Sequence, residues 1–361
     1  MRGLRLFLPP FAPDTAGAAS VFFPLGGLVV IVDAGGCAGN IIGFDEPRAR
    51  SAGTKSVVVS AALRDMDAIL GRDEQLVARL ADTVEEFAQG GRSFPFAALI
   101  GTPVPAVIGT DYRALCRLAE RQARLPVLAV DTDGTQSYDT GVSKAYLALF
   151  QHLARLGHHT IARGTLGVLG ATPLDTEETD GTRLRQKLHA AGWRHLRLYG
   201  LDHRAKQYRE ASANEKNLVV APAGLAAAQW LEKTFGTPYE VDYPLVNEDW
   251  EKIAPSPLPR VPKNILLLHQ QFRTRALRRL LKEKFPEAAI TCATFFQQVG
   301  AYIAPQDRKL REEQSLPALV AAGGFDCIIG DNIYRRAIPD YRGIFLDFPH
   351  FAASGRLRKE D

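Results

Sequence analysis

Short apolar runs alternate with stretches of helical period along most of the 361 residues. That alternation is the pattern of parallel strands joined by crossover helices, so the chain reads as α/β with parallel sheets. Two breaks divide it into three Rossmann-like domains. Near 157–164 a helix ends in Leu-Gly-His-His and a new strand begins. At 254–262, Pro255, Pro257, Pro259 and Pro262 forbid continuation of a helix or a central strand, so this stretch reads as a linker. The expected domains are 1–160, 161–253 and 263–361. The last two share the order strand, polar loop, helix, strand.

Strands are expected at 28–32, 56–59, 96–100, 126–130, 166–169, 196–199, 218–220, 264–268, 289–291 and 327–329, each a short apolar run. Helices are expected at 73–88, 111–122, 141–156, 180–191, 223–235, 275–285 and 316–322. Gly192 and Gly323-Gly324 are their natural stops. The uncharged span 15–32 holds Pro24 and Gly26-Gly27, and reads as a short connection and a buried strand rather than a membrane helix. Arg2, Arg5 and Ala16-Gly17-Ala18-Ala19 faintly resemble a secretion signal. Pro9, Pro10, Pro13 and Asp14 interrupt its apolar core, and the signal reading is rejected.

Hydrophobic residues make up 46% and charged ones 23%, which supports a packed core. The net charge of +4, without an aromatic-interleaved basic patch, points away from nucleic acid. Cys37, Cys116, Cys292 and Cys327 are the only cysteines, and none forms a Cys-x-x-Cys pair. Few and widely spaced, they fit a reducing compartment and a cytoplasmic protein. Cys116, Cys292 and Cys327 sit in apolar or helical settings and read as packing thiols.

The most informative stretch is Gly35-Gly36-Cys37-Ala38-Gly39, directly after the first strand. Its glycines let backbone approach something closely, since no Cβ intervenes. Its thiol could ligate a metal cluster, act in redox chemistry or pack. Thr102 to Asp111 reads as strand end, loop and helix start, which could hold an anion through backbone N–H groups or serve ordinary capping. Asp131, Asp133, Tyr138 and Asp139 follow a strand, where a proton donor or a Mg²⁺ ligand could stand; turn and cap chemistry is the plainer reading. His152, His158 and His159 cluster near a helix end without a carboxylate or thiol to complete a metal site. Arg273, Arg275, Arg278, Arg279, Lys282 and Lys284 form a basic helix face opposite Leu277, Leu280, Leu281 and Phe285. It reads as solvated, or as a docking patch for an acidic partner or a polar cofactor. His269 and Gln270 end a strand and could line an interdomain cleft.

Four segments resemble the component 1 oxidoreductases of the nitrogenase superfamily, which includes the nitrogenase α and β subunits and the subunits of dark-operative protochlorophyllide reductase. They are the Gly-Cys turn; Asp67-Ala68-Ile69-Leu70-Gly71-Arg72-Asp73-Glu74-Gln75-Leu76; Ile100 through Asp111, Ile-Gly-Thr-Pro-Val-Pro-Ala-Val-Ile-Gly-Thr-Asp; and Pro126 through Gly134, Pro-Val-Leu-Ala-Val-Asp-Thr-Asp-Gly. They cover roughly the first 140 residues; beyond them Gly167–Asp175 is the best local match. The resemblance implies a subunit that takes electrons from a separate ATP-dependent iron–sulfur reductase. It would pass them through an iron–sulfur cluster at a subunit interface to a small-molecule substrate. It further implies a homologous component 1-type partner, in a homo- or heterodimer, with Cys37 as metal ligand and Gly35, Gly36, Gly39, Thr102 and Asp131 around the cofactor. The family's upstream cysteine should fall near residues 11–13 and its third at Thr102 or Pro103, and neither place has one. Since a cluster takes about four ligands, others would come from a partner, or from an oxygen such as that of Asp33. The alternative is a non-catalytic scaffold or binding subunit holding a metallocofactor, a tetrapyrrole or another small molecule in the interdomain cleft. No P-loop, Gly-x-Gly-x-x-Gly or Gly-x-Ser-x-Gly motif is present.

Overall fold

The computed structural model describes residues 5–43, 55–63, 73–157, 160–176, 178–202, 204–255 and 258–356. The family-like residues Asp67 to Arg72, together with His158, His159 and Pro257, lie outside them. Three sheets are present, and all their strand pairs are parallel. The first contains β1 (Leu28–Val32), β2 (Val57–Ser60), β3 (Ala97–Gly101) and β4 (Val127–Val130), in the order β2-β1-β3-β4. The second contains β5 (Ala162–Leu169), β6 (His195–Leu198), β7 (Asn214–Val219) and β8 (Tyr239–Val241), in the order β6-β5-β7-β8. The third contains β9 (Asn264–Leu268), β10 (Ala289–Thr294), β11 (Arg308–Lys309), β12 (Cys327–Gly330) and β13 (Ile344–Asp347), in the order β11-β10-β9-β12-β13.

The strand residues sort by parity, as the pleat requires. Val29 and Ile31 of β1, Leu169 of β5, Val219 of β7, and Leu266 and Leu268 of β9 belong to one continuous core. Their neighbours turn the other way. Leu28, Val30 and Val32 enter a second core, Leu166, Val168 and Leu218 a third, and Ile265 and Leu267 a fourth. Each sheet is therefore buried on both faces, which is why its strands read as nearly unbroken apolar runs. One face of each is shared with the other two sheets.

Two buried helices fill that shared core. Helix Tyr138–Leu153 continues as a 3₁₀ turn to Leu156, three residues ahead of the expected start. Helix Asp14–Phe22 occupies a stretch expected as a connection, and all nine of its residues are buried. A short apolar run surrounded on every side gives no periodic signal to separate helix from strand. The two helices touch through glycine. A Cβ on Gly17 would stand 1.9 Å from the Tyr138 carbonyl oxygen, and one on Gly141 would stand 1.8 Å from that of Asp14. The Asp14 N–H donates to Gln136 O and the Tyr138 N–H to Ala12 O, each at 2.9 Å, fixing the same crossing.

Further differences have local causes. β8, β11 and β13 were not expected. The first two are only three and two residues long, and all three lie at sheet edges. The basic helix runs Gln271–Lys284, a turn earlier than expected, because the Gln270 side chain accepts the Phe272 N–H at 2.8 Å and caps it there. The earlier start brings Arg273 into the helix four residues before Leu277, on its apolar face, so Arg273 is buried rather than solvated.

The glycine crossing gives a paired test. Gly17→Ala or Gly141→Ala will lower the unfolding free energy by about 1–3 kcal/mol, since backbone must move. Gly36→Ala, whose Cβ would meet nothing within 4 Å, will change it by under about 0.5 kcal/mol. Urea unfolding of the three variants checks this.

Candidate functional site

In open parallel sheets, ligands bind beyond the carboxyl ends of the strands, where strand order reverses. In the first sheet the reversal lies between β1 and β3. Cys37 follows β1 and Thr102 follows β3. The turn passes through Gly35 at φ +110°, a conformation natural to glycine, into helix Gly36–Gly43. The stretch expected as an open turn is thus a turn and a helix start. Asp33 is fully buried; its carboxylate accepts the Ala38 N–H at 2.8 Å and the Ser60 hydroxyl at 2.6 Å. One oxygen holds the turn and the other ties it to the end of β2, and Cys37 is left half-buried on the first helical turn.

The surroundings of Cys37 are open on one side. A Cβ at Gly35, Gly36 or Gly39 would meet nothing within 4 Å. The chain's own packing therefore does not demand glycine at 36 or 39. Helix Pro103–Ile108 begins beside Thr102 and exposes Val104, Ile108 and Val107, the last to 86%. Burial, and next the Asp33 charge, raise the Cys37 thiol above its ordinary pKa, with the Thr102 hydroxyl pulling the other way. A thiolate here needs a cation or a metal to offset that cost. Thr102 is buried, and its hydroxyl donates to Val32 O at 2.7 Å.

Asp131 does not join this group. It lies beyond β4, 75% exposed at the side chain, and pairs with Lys144 at 3.0 Å. Asp133 accepts from the Thr135 N–H and hydroxyl at 2.8 and 2.7 Å, which is turn chemistry. Asp139 is buried, accepts the Ser137 hydroxyl and the Gln297 N–H, and so ties helix Tyr138–Leu153 to the third sheet's loops. His152 pairs with Glu120 at 2.6 Å at the surface. Cys116, Cys292 and Cys327 are pushed up to about 12 by burial, as packing thiols are.

A second set of groups converges where all three sheets meet. Asp175 follows β5, His269 follows β9 and His350 follows β13; all are buried, with ligand-type atoms within 4.8 Å of one another. The Tyr138 hydroxyl stands 3.1 Å from His350 Nε2, and Asp175 Oδ1 lies 3.6 Å from the same nitrogen. His269 stacks on His350 with centroids 4.1 Å apart, and Phe296 meets His350 edge-on at 4.6 Å. Behind them Arg273 is 1% exposed. Its Nε donates to Asp249 Oδ2 at 2.8 Å, its Nη1 to Asp175 O at 3.2 Å, and its plane lies over Phe348 and Tyr243. His269 and Gln270 were legible as strand-end residues. Asp175 and His350 were not singled out, because only the folding of distant segments brings them together. Arg273 was noted only as part of a charged face.

Three parallel sheets with a thiol at the first switch point and a buried imidazole–carboxylate cluster at their junction define a multi-sheet α/β protein with its sites at strand ends. The chain belongs to the nitrogenase component 1 type oxidoreductase family, whose model matches residues 13–246. It is similar in fold to the solved structure "Nitrogenase Cp1 at pH 6.5", with TM-score 0.68 and 11% identity over 96% of this chain and 87% of that one. "Nitrogenase Cp1 at pH 5" also gives TM-score 0.68, with 12% identity over 96% of this chain and 84% of that one. No curated protein sequence matches the chain. No helix among the described residues is long and apolar enough to cross a membrane.

Two outcomes follow from the buried cluster. Asp249→Ala leaves the Arg273 guanidinium buried without its carboxylate and will cost about 3–5 kcal/mol of unfolding free energy, read by urea titration. His350 is held neutral, well below its ordinary pKa of 6.5, by burial and then by Arg273. The unfolded chain takes up that proton below about pH 6.5 and the folded chain does not, so this contribution to stability falls as pH drops. The wild type's stability relative to His350→Gln will therefore decline between about pH 7.5 and 5.5, by up to about 1.4 kcal/mol per pH unit. A difference independent of pH would remove His350 from the account.

Proposed function

We propose that this chain is an electron-transferring component 1-type subunit. It receives electrons from an ATP-dependent iron–sulfur reductase and passes them, through a cluster held with a homologous subunit, to a small-molecule substrate. The observation that carries this reading is the open glycine face around Cys37. Gly36 and Gly39 leave room on the solvent side of a metal-competent thiol that sits at the switch point of the first sheet.

The donor set fits a shared cluster rather than a private one. Cys37 supplies one thiolate, and a cluster takes about four ligands, mostly thiolates. The others come from the partner, and the apolar helix Pro103–Ile108 offers the partner a dry contact beside the thiol. When bound, the cluster supplies one-electron chemistry. The chain's own residues anchor and orient it: Asp33 fixes the turn, Gly35 permits the entry angle, and Gly36 and Gly39 keep Cβ atoms away. Thr102 lines the buried side. A reducing, cytoplasmic setting would keep Cys37 available as a thiol.

The test is iron and acid-labile sulfide content, with EPR, on anaerobically purified protein alone and with its candidate partner subunit. Iron bound in stoichiometric amount and lost in Cys37→Ala supports the reading. Gly39→Leu should not destabilise the fold, since leucine is the better helix former, yet should lower iron loading, because it fills the open face. Iron-free wild-type protein in both preparations would sink the proposal.

A further inference from the structure

Residues 5–11 run as a strap across the third sheet, against segments that follow its strands. Phe295 and Phe296 follow β10, Glu313 follows β11 and Tyr334 follows β12. The strap thus lies at the carboxyl ends of these strands, the side on which open sheets admit ligands. Among the described residues, no hydrogen bond between backbone groups joins residues 5–11 to the rest of the chain. Pro9 and Pro10 have no N–H to offer. One carboxylate does the holding instead. Glu313 accepts the N–H groups of Leu6, Phe7 and Leu8 at 3.1, 3.0 and 2.7 Å.

Two side chains add an apolar hold. Leu8 is buried, and the Phe11 ring packs against Phe295, Phe296 and Tyr334 with centroids 5.2, 5.4 and 6.3 Å away. Leu6 and Phe7 are 71% and 51% exposed and contribute little. Arg5 closes the strap on itself: its guanidinium lies 3.9 Å above the Phe11 ring and donates to Pro9 O at 2.6 Å. The base of the strap is fixed. The Ala12 N–H donates to Ala352 O at 2.8 Å, and Ala12 O accepts the Tyr138 N–H at 2.9 Å, just before helix Asp14–Phe22. Beneath the strap Phe296 and Tyr334 are fully buried, and Phe296 meets Tyr138 and His350 edge-on with centroids 5.2 and 4.6 Å away. One layer of rings therefore stands between Phe11 and the interior where the three sheets meet.

We propose that residues 5–11 are a lid that swings about Ala12 and is latched by Glu313, and that its opening uncovers Phe295, Phe296 and Tyr334 as the entry for a small-molecule substrate. What enters rests on the proposed function; the motion does not. The three N–H groups share one acceptor, so they are released together. Once the strap lifts, water replaces the partners on both sides, and no polar group is left buried and unpaired. Opening exposes little apolar surface beyond Leu8 and Phe11, which puts the strap at the low-stability end of the structure, from which lids are drawn. Glutamine cannot replace the latch, because its amide has a single oxygen to accept with and turns N–H donors toward N–H donors.

The test is made on iron-free Cys37→Ala protein, so that its failure and failure of the cluster reading are distinguishable. Amide hydrogen exchange is followed by NMR. Relative to their intrinsic rates, Leu6, Phe7 and Leu8 should exchange as one set, at least about 100-fold faster than Val29 to Ile31 of β1. Glu313→Gln should speed that set at least about 10-fold and leave β1 unchanged. Entry is read in the same protein carrying Phe295→Cys, by its reaction with N-ethylmaleimide in excess of the parent's. Glu313→Gln should raise that rate at least about 10-fold. The first comparison needs no change at Glu313 and stands if that variant fails to fold. Strap amides as protected as those of β1, exchange unaltered by Glu313→Gln, or a thiol rate unaltered by it would each overturn the proposal.

Discussion

Arg273 is the side chain around which the junction is built. A guanidinium cannot lose its charge, so burying it demands a carboxylate, hydrogen-bond acceptors and flat partners at fixed positions. Asp249 is the carboxylate, the Asp175 carbonyl is an acceptor, and the Phe348 and Tyr243 rings are the flat partners. Those groups come from the segment after β5, the loop after β8, helix Val246–Ile253 and the segment after β13. One buried cation therefore fixes how the second and third sheets meet. His269 and His350 stack against each other within the frame that results.

The first sheet joins this frame by a different means. Helix Asp14–Phe22 and helix Tyr138–Leu153 cross at two glycines, and their close approach places Tyr138 at the head of the buried cluster. Phe11 then reaches Phe295 and Phe296 with ring centroids 5.2 and 5.4 Å apart, adding an aromatic contact to the third sheet. Packing thus binds the sheets into a single core while leaving the Cys37 end of the first sheet facing outward. The molecule separates two kinds of donor: a thiol beside open glycines at the surface, and nitrogens with a carboxylate in a dry interior.

The parallel sheets were legible because strands buried on both faces must be apolar throughout. β1 and β9 fall where the sequence places them, at Leu28–Val32 and Asn264–Leu268. Tyr239–Val241 and Arg308–Lys309 were illegible because edge strands of three and two residues carry no such run. Helix Asp14–Phe22 was misread since a fully buried helix loses its amphipathic signature. Cys37 stood out because a thiol among glycines after a strand is a local pattern. The cluster of Asp175, His269 and His350 is written across three remote segments, and nothing in any one of them announces the other two. Arg273 was hidden as well: a helix start at 275 leaves it outside the helix, whereas inside it the i, i+4 spacing sets it on the apolar face with Leu277.

The central claim is that Cys37 is a metal-cluster ligand on a face completed by a second subunit. Anomalous diffraction at the iron edge, from crystals grown anaerobically of the chain with its partner, addresses it directly. The account predicts an iron peak bonded to Cys37 Sγ, between the Gly35–Gly39 turn and the partner. Iron elsewhere in the complex, with Cys37 Sγ bonded to none, would contradict it.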